Sequence, residues 1–504
     1  MNVKWDLRQL FLDIDVWDRE YDKVKSGLLK KQDLLRSIER LRVYIYLRSD
    51  IERDNLELID RIKLLGDLEQ SCFPKTEVNV NYVEETYSRK SQKMLEEVKS
   101  SNNHVDVTYK NINNIISLHK FENINNIHMN YLYALGNRAK ELQHNYILFV
   151  TEYLRELGNR HSSSILDLKC DEYGINKSAV QTIFSETKRY KFIYTKFIEV
   201  EKRFFERKTI TYSEFYFGPL TILNHKNVAY DEGIQYLMVS LNCLGKKYQK
   251  CIQQEISGGW IDVYPQKEKK GGSYCWGIPK LQPYIFLNYC NDLKSLLDLA
   301  HEMGHAVHAI LANGNREEDA AFKYPIFLSE IVAIVNEILV QNFLIKDSKK
   351  NKETIIYMIG QMNFIMIKQV FGSLLEDMSI SGIIQVGKAD VGKGFNLLMK
   401  EFFDEKVESS SVVYTDWFRN LNIYRPYYNI QYPLAYLIAH QIVYMLNTKQ
   451  LMPEQFIAVL EAGASKSQYE LLKSINIDLN NIADYIQIFW DSYNQLVDDL
   501  LKEV

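Results

Sequence analysis

Residues 301–305 read His-Glu-Met-Gly-His, inside a stretch where Leu293, Leu296, Leu297, Ala300, Val307, Ile310 and Leu311 recur at helical spacing. A helix places positions i and i+4 one turn apart on the same face, so His301 and His305 can hold one metal ion together. Glu302 then points about 100° round the axis, toward a water at the open coordination position. Two imidazoles one turn apart with a carboxylate between them are the donor pattern of a zinc site with Glu302 as general base.

A catalytic zinc takes three protein ligands and leaves a fourth position for water, so another donor must come from elsewhere in the chain. The run PIFLSEIVAIVNEILV, residues 325–340, reads as the next helix and carries Glu330 among apolar neighbours. An unpaired carboxylate there is costly unless it is neutralised or binds a cation, and Glu330 is therefore expected as the third ligand. Glu337, seven residues on and on the same face, is either a partner that orients a ligand or a surface carboxylate. His308, three residues beyond His305, is expected as a packed histidine and not as a fourth ligand.

The remaining chain sets the context. Its 504 residues suffice for several core-sized units. With 46% hydrophobic and 25% charged residues and only 22 Gly and 9 Pro, the composition is that of a globular protein. A formal charge of −4 lacks the basic excess of a nucleic-acid binder, so no nucleic-acid partner is expected. Met1 to Phe11 shows no signal-like apolar run, and stretches such as Ile331 to Val340 are broken by polar residues short of the roughly 20 that span a bilayer. The six cysteines are scattered without a Cys-x-x-Cys pair. A soluble chain in the cytoplasm, without a membrane partner, is the expectation; oligomeric state is not legible.

From Trp5 to about Lys99 the sequence reads as amphipathic helices, with Leu35, Ile38, Leu41, Val43 and Tyr46 near helical spacing. The Asn-rich stretch 101–130 reads as a loop or lobe boundary. We accordingly divide the chain into a divergent helical lobe, 1–145, and a helical catalytic region, 146–504. Loop signals at Phe217, Gly218 and Pro219 interrupt the later helices. Trp260 to Tyr264 and Pro283 to Tyr289 are aromatic and β-branched and predict a small sheet, joined by the Lys- and Gly-rich link KEKKGGSYCWG. Asp292 to Ala312 and Pro325 to Ile345 follow as two long helices, with Gly314 just past the first and Pro325 opening the second.

At these residues the sequence resembles the thimet oligopeptidase and oligoendopeptidase F family of zinc peptidases, the latter branch more closely. WIDVYPQKEKKGGSYCWGIPKLQPYIFLNYCNDLKSLLDLAHEMGHAVH looks like the family's continuous block of strand, Gly-rich loop, strand and metal helix, and PIFLSEIVAIVNEIL looks like its third-ligand helix. The spacing from His301 to Glu330 agrees with the family pattern. The recognisable likeness covers roughly residues 200 to 445; upstream little is shared beyond helical character and an opening Trp-Asp-Leu.

The resemblance implies a mainly helical, two-lobed metallopeptidase with a deep substrate channel and a small sheet next to the metal helix. It implies one zinc ion and oligopeptide substrates whose backbone pairs with an exposed strand, for which Pro283 to Tyr289 or the loop Gly271, Gly272, Ser273, Tyr274 are the candidates. The family's second catalytic segment corresponds to Asn422 to Tyr432, with Tyr428 and Tyr432 at the tyrosine positions that help bind the tetrahedral intermediate. Asn422 stands where the family has a histidine, and an Asn donates a hydrogen bond but carries no charge. Arg425 and His440 are substitutes that spacing does not support. The expected activity is endoproteolysis of short unstructured peptides. Three other readings stay open: a processing protease dedicated to one peptide, a non-catalytic peptide-binding descendant, and a helical scaffold with a chance motif.

Overall fold

The computed structural model of the protein describes residues 4–72, 121–158, 164–223, 227–278, 280–313, 326–347 and 351–504. The chain is mainly helical, as expected. It forms two compact units, each assembled from separated stretches: Met1–Tyr82, Asn227–Phe343 and Val443–Asn476 in the first, and Val83–Lys226, Leu344–Ile442 and Ile477–Val504 in the second. Residue 145, the division expected from sequence, lies within the helix Ala139–Gly158 of the second unit.

In the first unit, amphipathic helices Ile14–Lys25, Lys31–Ile51 and Leu56–Cys72 share one core with the sheet region. Ile38, Leu41 and Val43 are buried as their spacing predicts, whereas Leu35 and Tyr46 remain exposed at the margin. The opening Trp-Asp-Leu docks this end on the sheet. Trp5 donates its indole N–H to the Ile285 carbonyl at 2.8 Å and packs against the rings of Tyr284 and Phe286. The Asp6 N–H donates to the Gly259 carbonyl.

Among the described residues the sheet has three strands where two were expected. Ile261–Asp262 runs parallel to Tyr284–Phe286, and Tyr274–Trp276, from the Lys- and Gly-rich link, pairs antiparallel with the latter's other side. Among the described residues, Tyr284–Phe286 is therefore central and Tyr274–Trp276 is an edge. The sheet packs on the helix Leu293–Asn313, whose start is capped by Asp292 accepting the Ser295 N–H at 2.7 Å. Gly314 and Pro325, which sequence places just past one helix and at the start of the next, lie outside the described residues, as do Pro279 and residues 73–120.

The next helix, Ile326–Asp347, agrees closely with its expected span. Its part from Phe327 to Asp347 is long and apolar enough to cross a membrane, with a mean hydropathy of 1.6, which corrects the reading that polar residues interrupt it too early. That window is 72% buried inside the protein, as for a core helix.

Two loop signals in the second unit give way to helix. The described end of the Asn-rich stretch belongs to the helix Phe121–Gly136, where His128, Tyr131, Leu132 and Leu135 are buried at helical spacing. Burial of that face outweighs asparagine's weak preference for turns. Phe217, Gly218 and Pro219 lie within the helix Tyr212–Ile222, which Thr211 and Glu214 start with a capping box. Pro219 sits inside this helix at the cost of one intrahelical bond, the one its missing N–H would donate, and packs against Gly360.

Candidate metal centre

His301, Glu302 and His305 project from the helix Leu293–Asn313, and Glu330 from Ile326–Asp347. The two helices touch at Gly304. A Cβ added there would lie 2.6 Å from the Ala333 Cα and 3.1 Å from the Val332 carbonyl oxygen, so only glycine permits this approach. The contact brings the Glu330 carboxylate to 3.5 Å from His301 Nε2 and 3.9 Å from His305 Nε2, while the two Nε2 atoms stand 3.1 Å apart. One ligand atom from each of the three lies within 4.8 Å of the others. The three side chains are partly exposed, which leaves the cluster an open side.

The outer ring nitrogens fix which atoms face the centre. His301 Nδ1 hydrogen-bonds Glu337 Oε1 at 2.5 Å, and His305 Nδ1 hydrogen-bonds Ser329 Oγ at 2.8 Å. With both Nδ1 atoms engaged, each ring directs Nε2 to the cluster. Glu337 thus hydrogen-bonds a candidate ligand, the geometry that the first of its two sequence readings requires. Ser329 is a site residue that sequence reasoning missed. So is Asn336, fully buried, which donates to the Ala300 carbonyl at 3.1 Å and accepts the Tyr248 hydroxyl at 2.8 Å. The signal was available: Ser329, Glu330, Asn336 and Glu337 form a polar stripe at spacings of one and seven in an apolar helix, with Ala333 between them.

Electrostatics reflect four carboxylates, Glu302, Glu330, Glu337 and Asp298, grouped around the imidazoles of His301 and His305. Burial pushes the His301 imidazole down, but the Glu337 hydrogen bond and charge, with Glu302 and Glu330, raise it to about 10. Burial, His301 and His308 hold His305 well below the usual range. Burial, then Glu330, Asp298 and Glu337, lift Glu302 to about 8 against the pull of His301. Its Oε2 is buried without a hydrogen-bond partner. Two neutral-capable imidazoles and a carboxylate, oriented from behind and converging within a few ångströms, fit a divalent zinc-type ion. His308 is fully buried and burial holds it down to about 4; it stands outside the three-ligand cluster, as expected.

The sheet settles which strand presents free backbone. The N–H groups of Ile285 and Leu287 donate to Trp260 and Asp262 carbonyls on the outer strand's side. Alternation then turns Tyr284 and Phe286 toward the edge strand, opposite Trp276 and Tyr274, so the N–H and C=O of Cys275 point away from the sheet. Pro283 to Tyr289, one of the two strand candidates, is paired on both sides at Tyr284–Phe286 and is not an edge. Gly271, Gly272 and Ser273 form the approach to the edge strand and Tyr274 opens it; added Cβ atoms on the two glycines meet nothing within 4 Å.

Tyr428 and Tyr432 belong to the second unit, with ring centroids 5.9 Å apart. The Arg425 guanidinium lies 5.5 Å from the Tyr428 ring centroid. Asn422 donates to Asn429 Oδ1 at 3.2 Å, within its own segment. His440 is half-buried, edge-on to the Phe489 ring at 5.4 Å between centroids, and burial holds it down to about 4. Tyr427 adopts a left-handed backbone, φ 58°, and is held by the helix Gln369–Val386: Glu376 Oε1 accepts its N–H at 3.1 Å and Asp377 Oδ1 its hydroxyl at 2.7 Å.

Fold and site together define a mainly helical protein with a candidate two-histidine, one-glutamate metal centre on adjacent helices. The chain belongs to peptidase family M3, whose profile matches residues 77–489. That match is wider than the stretch 200–445 legible by eye. Among its relatives are Oligopeptidase PepF of Bacillus subtilis, 23% identical over 322 residues (61% of this chain, 47% of that protein), and an oligoendopeptidase F homolog of Borreliella burgdorferi, 27% identical over 274 residues (52% and 46%). The matched stretch spans about half the length of these curated relatives. The fold is shared with a putative peptidase from Chlamydophila abortus (TM-score 0.78, 18% identity, 99% of this chain and 98% of that one) and with oligoendopeptidase-F from Enterococcus faecium (TM-score 0.63, 14% identity, 96% and 97%).

Proposed function

We propose that this chain is a zinc-dependent endopeptidase acting on short unstructured peptides, with one zinc ion held by His301, His305 and Glu330. The observation that carries the reading is the convergence of the two Nε2 atoms and the Glu330 carboxylate from adjoining helices. Zinc in such a set supplies Lewis acidity for water and the scissile carbonyl.

The chain's own groups do the rest. Glu302 accepts the proton of the attacking water and passes it to the leaving amine. Glu337 and Ser329 keep the imidazoles oriented. The outward N–H and C=O of Cys275, approached through Gly271, Gly272 and Ser273 and flanked by Tyr274, pair with an extended peptide, and main-chain pairing tolerates many sequences. Tyr428 and Tyr432 carry the hydroxyls to which the family resemblance assigns the stabilisation of the developing oxyanion. All six cysteines are free thiols, which supports placement in the reducing cytoplasm.

A mixed peptide library incubated with the wild-type chain and with Glu302→Gln, read by mass spectrometry, tests this. Broad cleavage by the wild type and none by the variant is the expected pair. A dedicated processing protease, motivated by the divergent tyrosine segment, would instead cut one or very few library members. No cleavage by a zinc-loaded wild type would overturn the peptidase reading.

A further inference from the structure

The connection from Ile261–Asp262 to Tyr274–Trp276, the Lys- and Gly-rich link, carries the charged run Lys267, Glu268, Lys269, Lys270. Lys269 differs from the rest of the run. Its side chain is fully buried, and its Nζ donates to Asp262 Oδ1 (2.5 Å) and to the carbonyl oxygens of Asp262 (3.3 Å), Tyr264 (2.9 Å) and Leu287 (2.5 Å). It also lies 4.5 Å from the Phe286 ring centroid. An ammonium has three N–H donors, and here they serve the places where the outer and central strands end. Burying a lysine is costly unless such partners are in place, and an aliphatic residue would fill the same space without that requirement.

The loop is tied from its outer side as well. Asn288 Nδ2 donates to the carbonyls of Lys270 (2.9 Å) and Gly272 (2.7 Å), the Lys270 N–H donates to the Asp50 carbonyl (2.8 Å), and the Tyr274 hydroxyl to Asp50 Oδ2 (2.8 Å). Between these ties stand Gly271 and Gly272, the latter at φ 90°, residues with wide backbone freedom when unrestrained. Rigid preparation of a binding strand lowers the ordering cost that association must overcome.

We propose that Lys269 is a positioning residue. Its buried ammonium, bridging the two strand ends, holds the glycine turn and the edge strand in the shape that pairs with an extended peptide, and it acts on peptide binding and not on the bond-breaking step. The proposal rests on the reading of this chain as a peptidase with that edge as its docking strand.

Lys269→Met alone strands the Asp262 carboxylate in the interior, so the test uses Lys269→Met/Asp262→Asn, which removes both charges. Asn288→Ala serves as a second variant that loosens the turn and leaves the buried pair intact. Each is compared with the wild type at matched zinc content and folded fraction, for kcat and KM on a ten-residue peptide and for amide hydrogen exchange over residues 271–275. The expected result is a KM raised about tenfold in the double variant and several-fold in Asn288→Ala, with kcat within about twofold and faster exchange confined to the loop and edge. Faster exchange with unchanged KM, or a loss of kcat at constant KM, overturns the proposal while leaving the peptidase reading in place. A zinc-loaded wild type that turns over no peptide removes both.

Discussion

On the proposed mechanism, Glu302 is the residue on which turnover depends most sharply. Glu302→Gln keeps size and hydrogen bonding but cannot take a proton, so hydrolysis should fall by about 10²–10⁴ while bound zinc stays at the wild-type level. Full activity in that variant would remove Glu302 from the role of base. One shell outward, Glu337→Gln and Ser329→Ala should each weaken zinc binding by about 10–100-fold in a chelator competition, because each frees an imidazole to turn. Unchanged affinity in both would show that the rings are held by packing alone. At this scale the sequence was most informative where a residue type is rare. Two histidines and a glutamate at metal spacing stand out in a chain with 10 histidines. A single serine in an apolar helix does not, since a serine there has many uses and its partner His305 lies 24 residues away.

Among the secondary-structure elements, the crossing of the two site helices is the decisive contact. Gly304→Ala improves intrinsic helix propensity by about 1 kcal/mol, yet its methyl group meets backbone atoms that cannot swing aside. Overpacking of this kind costs about 1–3 kcal/mol, so the variant should unfold at lower denaturant and bind zinc more weakly as Glu330 is pushed back. A variant of wild-type stability and affinity would show that the helices can separate without consequence. Both helices were legible within two residues at each described end, because a 3.6-residue period over some twenty residues is hard to mistake. The edge strand was not. Three residues, Tyr274–Trp276, carry too little alternation to be told from a Gly-rich link, and their strand state is set by pairing with residues 284–286. Pro219 and the asparagines of 121–130 misled for the converse reason: local turn preference was overridden by tertiary burial.

For the whole molecule, stability carries a pH signature. Glu255 on the helix Gly245–Ser257 is fully buried with neither carboxyl oxygen hydrogen-bonded, and burial raises it well above the ordinary carboxylate value of 4.5. The folded chain therefore keeps a proton that the unfolded chain releases. The stability contribution of this group is complete below that ordinary value and is lost as pH rises above it. Glu255→Gln should flatten the decline, gaining about 1–3 kcal/mol over the wild type between pH 5 and pH 8 in urea unfolding. Parallel pH profiles would place the charge of Glu255 elsewhere. The division of the molecule was the least legible feature. Trp5 bonds the backbone at Ile285, 280 residues away, and a pairing so distant leaves no mark on local composition. The candidate metal centre was legible because its three side chains sit on two successive described helices, each with its own period. The most direct test of the account is the zinc content of the purified wild-type chain beside Glu330→Ala. One zinc per wild-type chain, lost in the variant, is the predicted result; a wild type without zinc, or a variant that retains it at wild-type affinity, contradicts the three-ligand centre.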